Sequence, residues 1–168
     1  VGTKIGYNYD ALKRLRSRAI YQGSTPLFEN RYAYATQSGN QSTALVEFFN
    51  YRLASDDGNG DIIVGYQYEY DKGGNITDIK AEVDGALIPL EHYEYDEKQG
   101  QLKEAIRYEN GVEADRWTYS YDTAGNILSE DHEGSNSELH EYAYEDGRWG
   151  DLLTSVDGID LEYDGRGN

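Results

Sequence analysis

The 168-residue chain carries 32 acidic residues against 15 Lys/Arg, for a net charge of −17, with 17 tyrosines and neither cysteine nor methionine. Disulfides and thiolate metal sites are thereby excluded, and an acidic body of this size repels nucleic-acid phosphates and anionic membrane surfaces. No apolar run is long enough to span a bilayer, so no membrane insertion is expected, and no secretory h-region opens the chain.

The charge is uneven. Residues 1–55 hold seven Lys/Arg and three Asp/Glu, whereas residues 56–168 hold eight against 29. The lack of methionine, even at position 1, and the ending Gly-Arg-Gly-Asn in mid-phrase read as a piece of a longer polypeptide, with no targeting signal inside it.

Along the chain, Tyr7, Tyr9 and Asp10 predict a strand running into a turn, with Leu15 opening the return. In that return Arg14, Arg16 and Arg18 alternate opposite Leu15, Ser17 and Ala19, which reads as a solvated outer face. A sharper reading has this basic stripe meeting the acidic surface of a neighbouring turn of the repeat. Tyr32 and Tyr34 repeat the pair without the aspartate, and residues 46–55 read as another strand.

The pattern returns as Tyr68, Tyr70, Asp71, Gly74, Asn75 and Ile76, then as Tyr93, Tyr95, Asp96 and Leu102. Residues 102–111 alternate well enough for a strand ending in an Asn110-Gly111 turn. Tyr119, Tyr121, Asp122, Gly125, Asn126 and Ile127 give the phrase again; segments 98–111 and 129–142 contain some helix formers, but few helices are expected. In the next unit, Tyr142 and Tyr144, the aspartate is displaced to Asp146, and the chain closes on Tyr163, Asp164, Gly167 and Asn168.

The second tyrosines (9, 34, 70, 95, 121, 144 and 163) lie 25, 36, 25, 26, 23 and 19 residues apart. A period in the twenties marks a repeat architecture of one supersecondary element per unit. Two tyrosines at i and i+2 share one strand face, and the residue between them is polar or small. Aspartate starts a turn by bonding nearby backbone N–H groups, and Gly-Asn accepts positive φ. Each unit is therefore expected to be a β-hairpin with a tyrosine pair on its inner face. The predicted fold is all-β: six to seven antiparallel hairpins stacked side by side over residues 1–168 as a single repeat region. The tyrosines are expected to form one buried seam, with unpaired strand edges at the two ends.

The phrase Y-x-Y-D-x-x-G-N-[IL], matched in full by Tyr68–Ile76 and Tyr119–Ile127 and in a variant form by Tyr7–Leu15 with Lys13 where glycine is usual, resembles the YD repeats of the Rhs family. That family includes bacterial Rhs and wall-associated polymorphic toxins, the shell-forming subunits of Tc toxins, and teneurins. The stretch from Trp149 through Asn168 is similar to one preceding the closing core of bacterial members. The resemblance implies a curved open sheet, a segment of a spiral β-shell that encloses or presents a C-terminal domain, in many members a toxin. It also implies a secreted or cell-surface parent. The partners would be neighbouring repeats of the same chain, its C-terminal core and its cargo. None of the core's self-cleavage chemistry is carried onto this chain.

Other candidates compete with purely structural readings. The paired tyrosines suit carbohydrate stacking as well as a core, and the core reading fits better because every repeat carries them on one face. Trp117 and Trp149 are the better sugar candidates. An extracellular module binding glycans or a cell-surface protein is therefore the alternative function. Asp57, Asn59 and Asp61 alternate as hard-oxygen calcium ligands would, but Ile62 and Tyr68 occupy positions where an EF-hand loop needs glycine and glutamate. His92, His132 and His140 are unclustered in sequence, and no catalytic or nucleotide-binding motif occurs. No enzyme, cofactor or nucleic-acid partner is expected.

Overall fold

A computed structural model describes residues 2–37, 41–53 and 60–164, without the side chains of Gln37 and Gln41. The chain forms two compact units, Val1–Leu90 and Glu91–Asn168. All regular structure among the described residues is β, and strands pair in chain order with antiparallel neighbours.

The first unit contains β1 (Thr3–Tyr9), β2 (Leu15–Gln22), β3 (Thr25–Gln37), β4 (Gln41–Leu53), β5 (Ile62–Tyr70), β6 (Ile76–Val83) and the opening of β7 (Ala86–Tyr95). The second contains the rest of β7, then β8 (Leu102–Glu109), β9 (Val112–Tyr121), β10 (Ile127–Glu133) and β11 (Glu138–Ala143). The short β12 (Ser155–Val156) and β13 (Ile159–Asp160) finish it. The return strands begin at Leu15, Ile76, Leu102 and Ile127, the aliphatic positions that the repeat phrase marks. Segments 98–111 and 129–142 contribute strands β8, β10 and β11 in place of helix.

Two kinds of turn alternate from β5 to β10. The tyrosine–aspartate turns join β1 to β2, β5 to β6, β7 to β8 and β9 to β10. At the opposite strand ends lie tight two-residue turns, Asp84-Gly85, Asn110-Gly111 and Asp157-Gly158. In each, both residues take positive φ, from 51° to 52° for the first and 74° to 78° for the glycine. That geometry matches the right-handed strand twist, and Asn/Asp-Gly is the dipeptide that tolerates it.

Sequence periodicity did not show a bulge that recurs at the same register in four hairpins. Tyr9 pairs with Leu15 while Asn8 pairs with Ser17, which leaves Arg16 as the extra residue. The same shift leaves out Thr77 between the Tyr70–Ile76 and Glu69–Asp78 pairs. It also leaves out Lys103 between Tyr95–Leu102 and Glu94–Glu104, and Leu128 between Tyr121–Ile127 and Ser120–Ser129. Such a bulge bends its strand and increases local twist.

The expectation of a fully buried tyrosine seam needs correction. Among the described residues the buried apolar side chains are Ala19 and Ile106 alone, beside buried Ser17, Asn50 and Asp115. Among the described residues, the strands within each unit contact their sequence neighbours in one layer, with no second sheet over the rings. Tyr68, Tyr70, Tyr93, Tyr95, Tyr119 and Tyr121 are half-buried, and the residue between each pair is exposed, as the alternation requires. On the edge strand β1, Tyr7 and Tyr9 are 53% and 58% exposed.

Candidate functional site

The feature built most consistently is the tyrosine–aspartate turn itself. In the Asp71 turn, Oδ1 accepts the Asn75 backbone N–H at 2.9 Å while Oδ2 accepts the Asn75 side-chain amide at 2.9 Å. The Asp71 N–H donates to the Asn75 carbonyl, and the Gly74 N–H returns to the Asp71 carbonyl. Asp122 repeats this with Asn126 at 2.9 and 2.8 Å, adding the Ala124 N–H at 2.8 Å. Gly74 and Gly125 take φ of +88° and +99°, which explains the glycine of the phrase. The Asn75 and Asn126 hydrogen bonds, side chain first and then backbone, hold both carboxyls below the usual range.

The variants keep the plan. The Asp96 turn is one residue longer; its carboxylate caps the Lys98 and Gln99 N–H groups, and Gly100 takes the positive φ. In the displaced unit Asp146 still caps two backbone N–H groups, those of Arg148 and Trp149.

The second tyrosine sews one hairpin to the one before it. The Tyr121 hydroxyl donates to the Leu102 carbonyl at 2.8 Å, Tyr34 to the Leu15 carbonyl at 2.8 Å and Tyr70 to the Val46 carbonyl at 2.6 Å. In each case the backbone ladder between those two strands has already ended, at Glu104–Thr118, Ser17–Arg31 and Phe48–Gln67. The side chain supplies a link where the strands part. Burial raises the Tyr70 and Tyr121 hydroxyl pKa values, and burial followed by the Glu91 hydrogen bond raises that of Tyr93. These hydroxyls remain protonated donors at neutral pH.

The arginine stripe is not a uniform outer face. Arg16 and Arg18 are exposed and Ser17 and Ala19 buried, as expected. Arg14 instead folds back: its Nε donates to Asp10 Oδ2 at 2.7 Å, and its guanidinium sits 4.1 Å from the Tyr34 ring centroid. It also donates to the Ser42 hydroxyl and the Thr43 carbonyl.

Sequence reasoning missed a polar network in the second unit. Buried Asp115 accepts from Arg107 through Oδ2 and meets His132 Nε2 through Oδ1 at 3.0 Å. His132 stacks flat on Trp117, with centroids 4.6 Å apart and 3° between planes. Arg107, then His132, lowers the Asp115 pKa. A Cβ on Gly134 would collide with the same carboxylate. Only the strand register brings Arg107, Asp115, Trp117 and His132 together, so no contiguous signal marks them. With one face of its ring taken by His132, Trp117 is a packing residue. His140 Nδ1 lies 2.9 Å from Asp157 Oδ2, and that hydrogen bond raises its pKa.

Trp149 is 50% exposed and lines a cavity of about 490 Å³ with Leu152, Thr154, Leu161 and Tyr163. Tyr163 is 38% exposed and Asp164 exposed, while Gly167 and Asn168 lie outside the described residues. Of the calcium candidates, Asp57 and Asn59 also lie outside them. Asp61 is exposed and its carbonyl accepts the Leu53 N–H at 2.9 Å.

The teneurin YD-shell family profile matches residues 58–168. No curated protein matches the chain in sequence. Among solved structures it is similar to those titled "Crystal Structure of TcdB2-TccC3-TEV" (TM-score 0.53, 16% identity) and "Crystal Structure of TcdB2-TccC3-Cdc42" (0.52, 16%). The structure of TcdB2-TccC3 itself gives 0.51 at 17% identity. Each similarity covers 99% of this chain and 11% of the other, so the chain spans about a tenth of the length of these proteins.

Proposed function

The chain belongs to the teneurin YD-shell family, and from that premise we propose that it is a run of wall in a hollow β-shell. The wall encloses or presents a C-terminal domain, a toxin in the bacterial case, and does no catalysis of its own. The repeat region runs through all of residues 1–168 within a longer, secreted or cell-surface parent. Its partners are neighbouring repeats, the closing core and the cargo.

The observation that carries this reading is where the repeated groups spend their bonding capacity. The Asp71 and Asp122 carboxylates bond within their own turns, and the stapling hydroxyls of Tyr34, Tyr70 and Tyr121 bond the backbone of the preceding hairpin. Groups engaged in this way hold structure.

Limited proteolysis of the parent chain tests the proposal. A C-terminal domain shielded by a shell resists protease until the wall is loosened, for example by joint Tyr70→Phe and Tyr121→Phe substitution. A domain cleaved equally fast with and without the repeat region overturns it.

A second reading, glycan binding, is favoured by one observation: Trp149 is exposed beside Tyr163 in an open cavity, a pairing suited to a sugar face. Saturable glycan binding lost in Trp149→Ala supports it, and an array on which Trp149→Ala changes nothing removes it.

A further inference from the structure

On the strand face opposite the Tyr93–Tyr95 pair, the β7–β8 register assembles a group that sequence spacing does not reveal. His92 and Glu94 stand two residues apart on β7, and Glu104 is the cross-strand partner of Glu94 on β8. One donor atom from each of His92, Glu94 and Glu104 lies within 4.8 Å of the other two. We propose that these three residues form a binding site for a divalent cation of the zinc class, clipping β7 to β8.

The donor set fits that class. An imidazole nitrogen with two carboxylate oxygens suits Zn²⁺, Co²⁺ or Mn²⁺, whereas Ca²⁺ and Mg²⁺ take oxygen alone. Ligands about 2.1 Å from a tetrahedral ion stand about 3.4 Å from one another. The group therefore tightens by a small side-chain movement, with the fourth position left to water.

The surroundings supply what bare acidic clusters lack. Arg116 is anchored through Nε and Nη2 to Glu113, at 3.0 and 2.9 Å, and its Nη1 grips Glu104 Oε2. This orients the Glu104 carboxylate and leaves Oε1 for the metal, the role an outer-shell partner plays in metal sites. Ile106, the cross-strand partner of His92, is 6% exposed and gives the site an apolar flank. Lys103 Nζ, 3.9 Å from Glu94, is the cation the metal displaces. The unit's charge favours the exchange: residues 91–168 carry 21 Asp/Glu against six Lys/Arg.

The test is titration of the metal-free chain with Co²⁺ alone, followed by its visible absorption, with and without excess Mg²⁺. Expected are one saturable equivalent, d–d bands that persist in Mg²⁺, and competition by Zn²⁺. Glu94→Gln changes an exposed side chain, and His92→Ala removes the nitrogen; each weakens binding by at least about tenfold. Arg116→Gln, which removes the orienting partner, weakens it by about tenfold. Asp151→Asn, an exposed acid that is no member of the group, leaves it unchanged. Circular dichroism of each metal-free variant shows that it is folded. Cobalt that Mg²⁺ sweeps off, or that binds undiminished to folded Glu94→Gln and His92→Ala, is an ion held by the acidic surface and overturns the site.

Discussion

Two turns of the same phrase reach one geometry with different residues. At Asp122–Asn126 a glycine takes the positive φ and an asparagine amide closes on the second carboxylate oxygen. At Asp10–Arg14 the positive-φ residue is Lys13, at 66°, and the Arg14 guanidinium does the closing. The backbone bonds correspond one for one: the Leu12 and Arg14 N–H groups donate to Asp10 Oδ1 as those of Ala124 and Asn126 do to Asp122. The turn thus requires an aspartate, a left-handed residue and a donor for Oδ2, and it tolerates change in the last two. What the arginine form adds is reach, since Arg14 also holds Thr43 and lies over the Tyr34 ring.

Removing the aspartate should break the comparison most severely. Asp122→Ala strips three hydrogen bonds from its turn and is expected to give the largest fall in thermal midpoint. Asp10→Ala should fall less, because Arg14 keeps its bonds to Ser42 and Thr43. Equal losses would show that the arginine's extra contacts contribute nothing.

The left-handed position separates the turns next. Gly125→Ala puts a Cβ at φ +99° and 3.2 Å from Gln101 Nε2, for a loss of about 2 kcal/mol. Lys13→Gly relieves an existing strain and should gain about 1 kcal/mol in denaturant unfolding. Smaller still is the hydroxyl staple: Tyr121→Phe or Tyr70→Phe should each cost about 1 kcal/mol, the net worth of one hydrogen bond. Tyr7→Phe, on the exposed edge strand, should stay within about 0.5 kcal/mol.

Acid titration sharpens the same contrast. The hydrogen bonds of Asn75 and Asn126 depress the Asp71 and Asp122 pKa values. Their stabilising contribution is therefore complete above the unfolded-state value of about 3.9 and is lost as pH falls through the lower folded-state value. For Asp10, burial pushes the pKa up, and the Arg14 and Leu12 hydrogen bonds with the Arg14 charge together outweigh it, so the sign is the same. Asp71→Asn and Asp122→Asn should flatten the acid limb of the stability profile. His140 acts in the opposite sense: its raised pKa stabilises below about 6.5, and that contribution fades as pH rises through the folded-state value.

The hairpins and their boundaries were legible because the tyrosine pair has period two, and the aspartate, glycine and asparagine have fixed jobs. Leu15, Ile76, Leu102 and Ile127 start strands for the same reason. Cross-strand neighbours were hidden, since a register is a relation between distant segments. The shared bulge, the carbonyl acceptors of the tyrosines, the Asp115 network and the His92–Glu94–Glu104 group all depend on it. Burial was over-read for a physical reason: an aromatic face signals an apolar side, but a one-layer sheet leaves that side half wet.

The tyrosine staples end on main-chain oxygen, and mutation cannot remove a carbonyl. Leu15, Val46 and Leu102 offer the same acceptor despite their different side chains and surroundings. A lineage built on such stitches can drift freely at most positions without losing its seams.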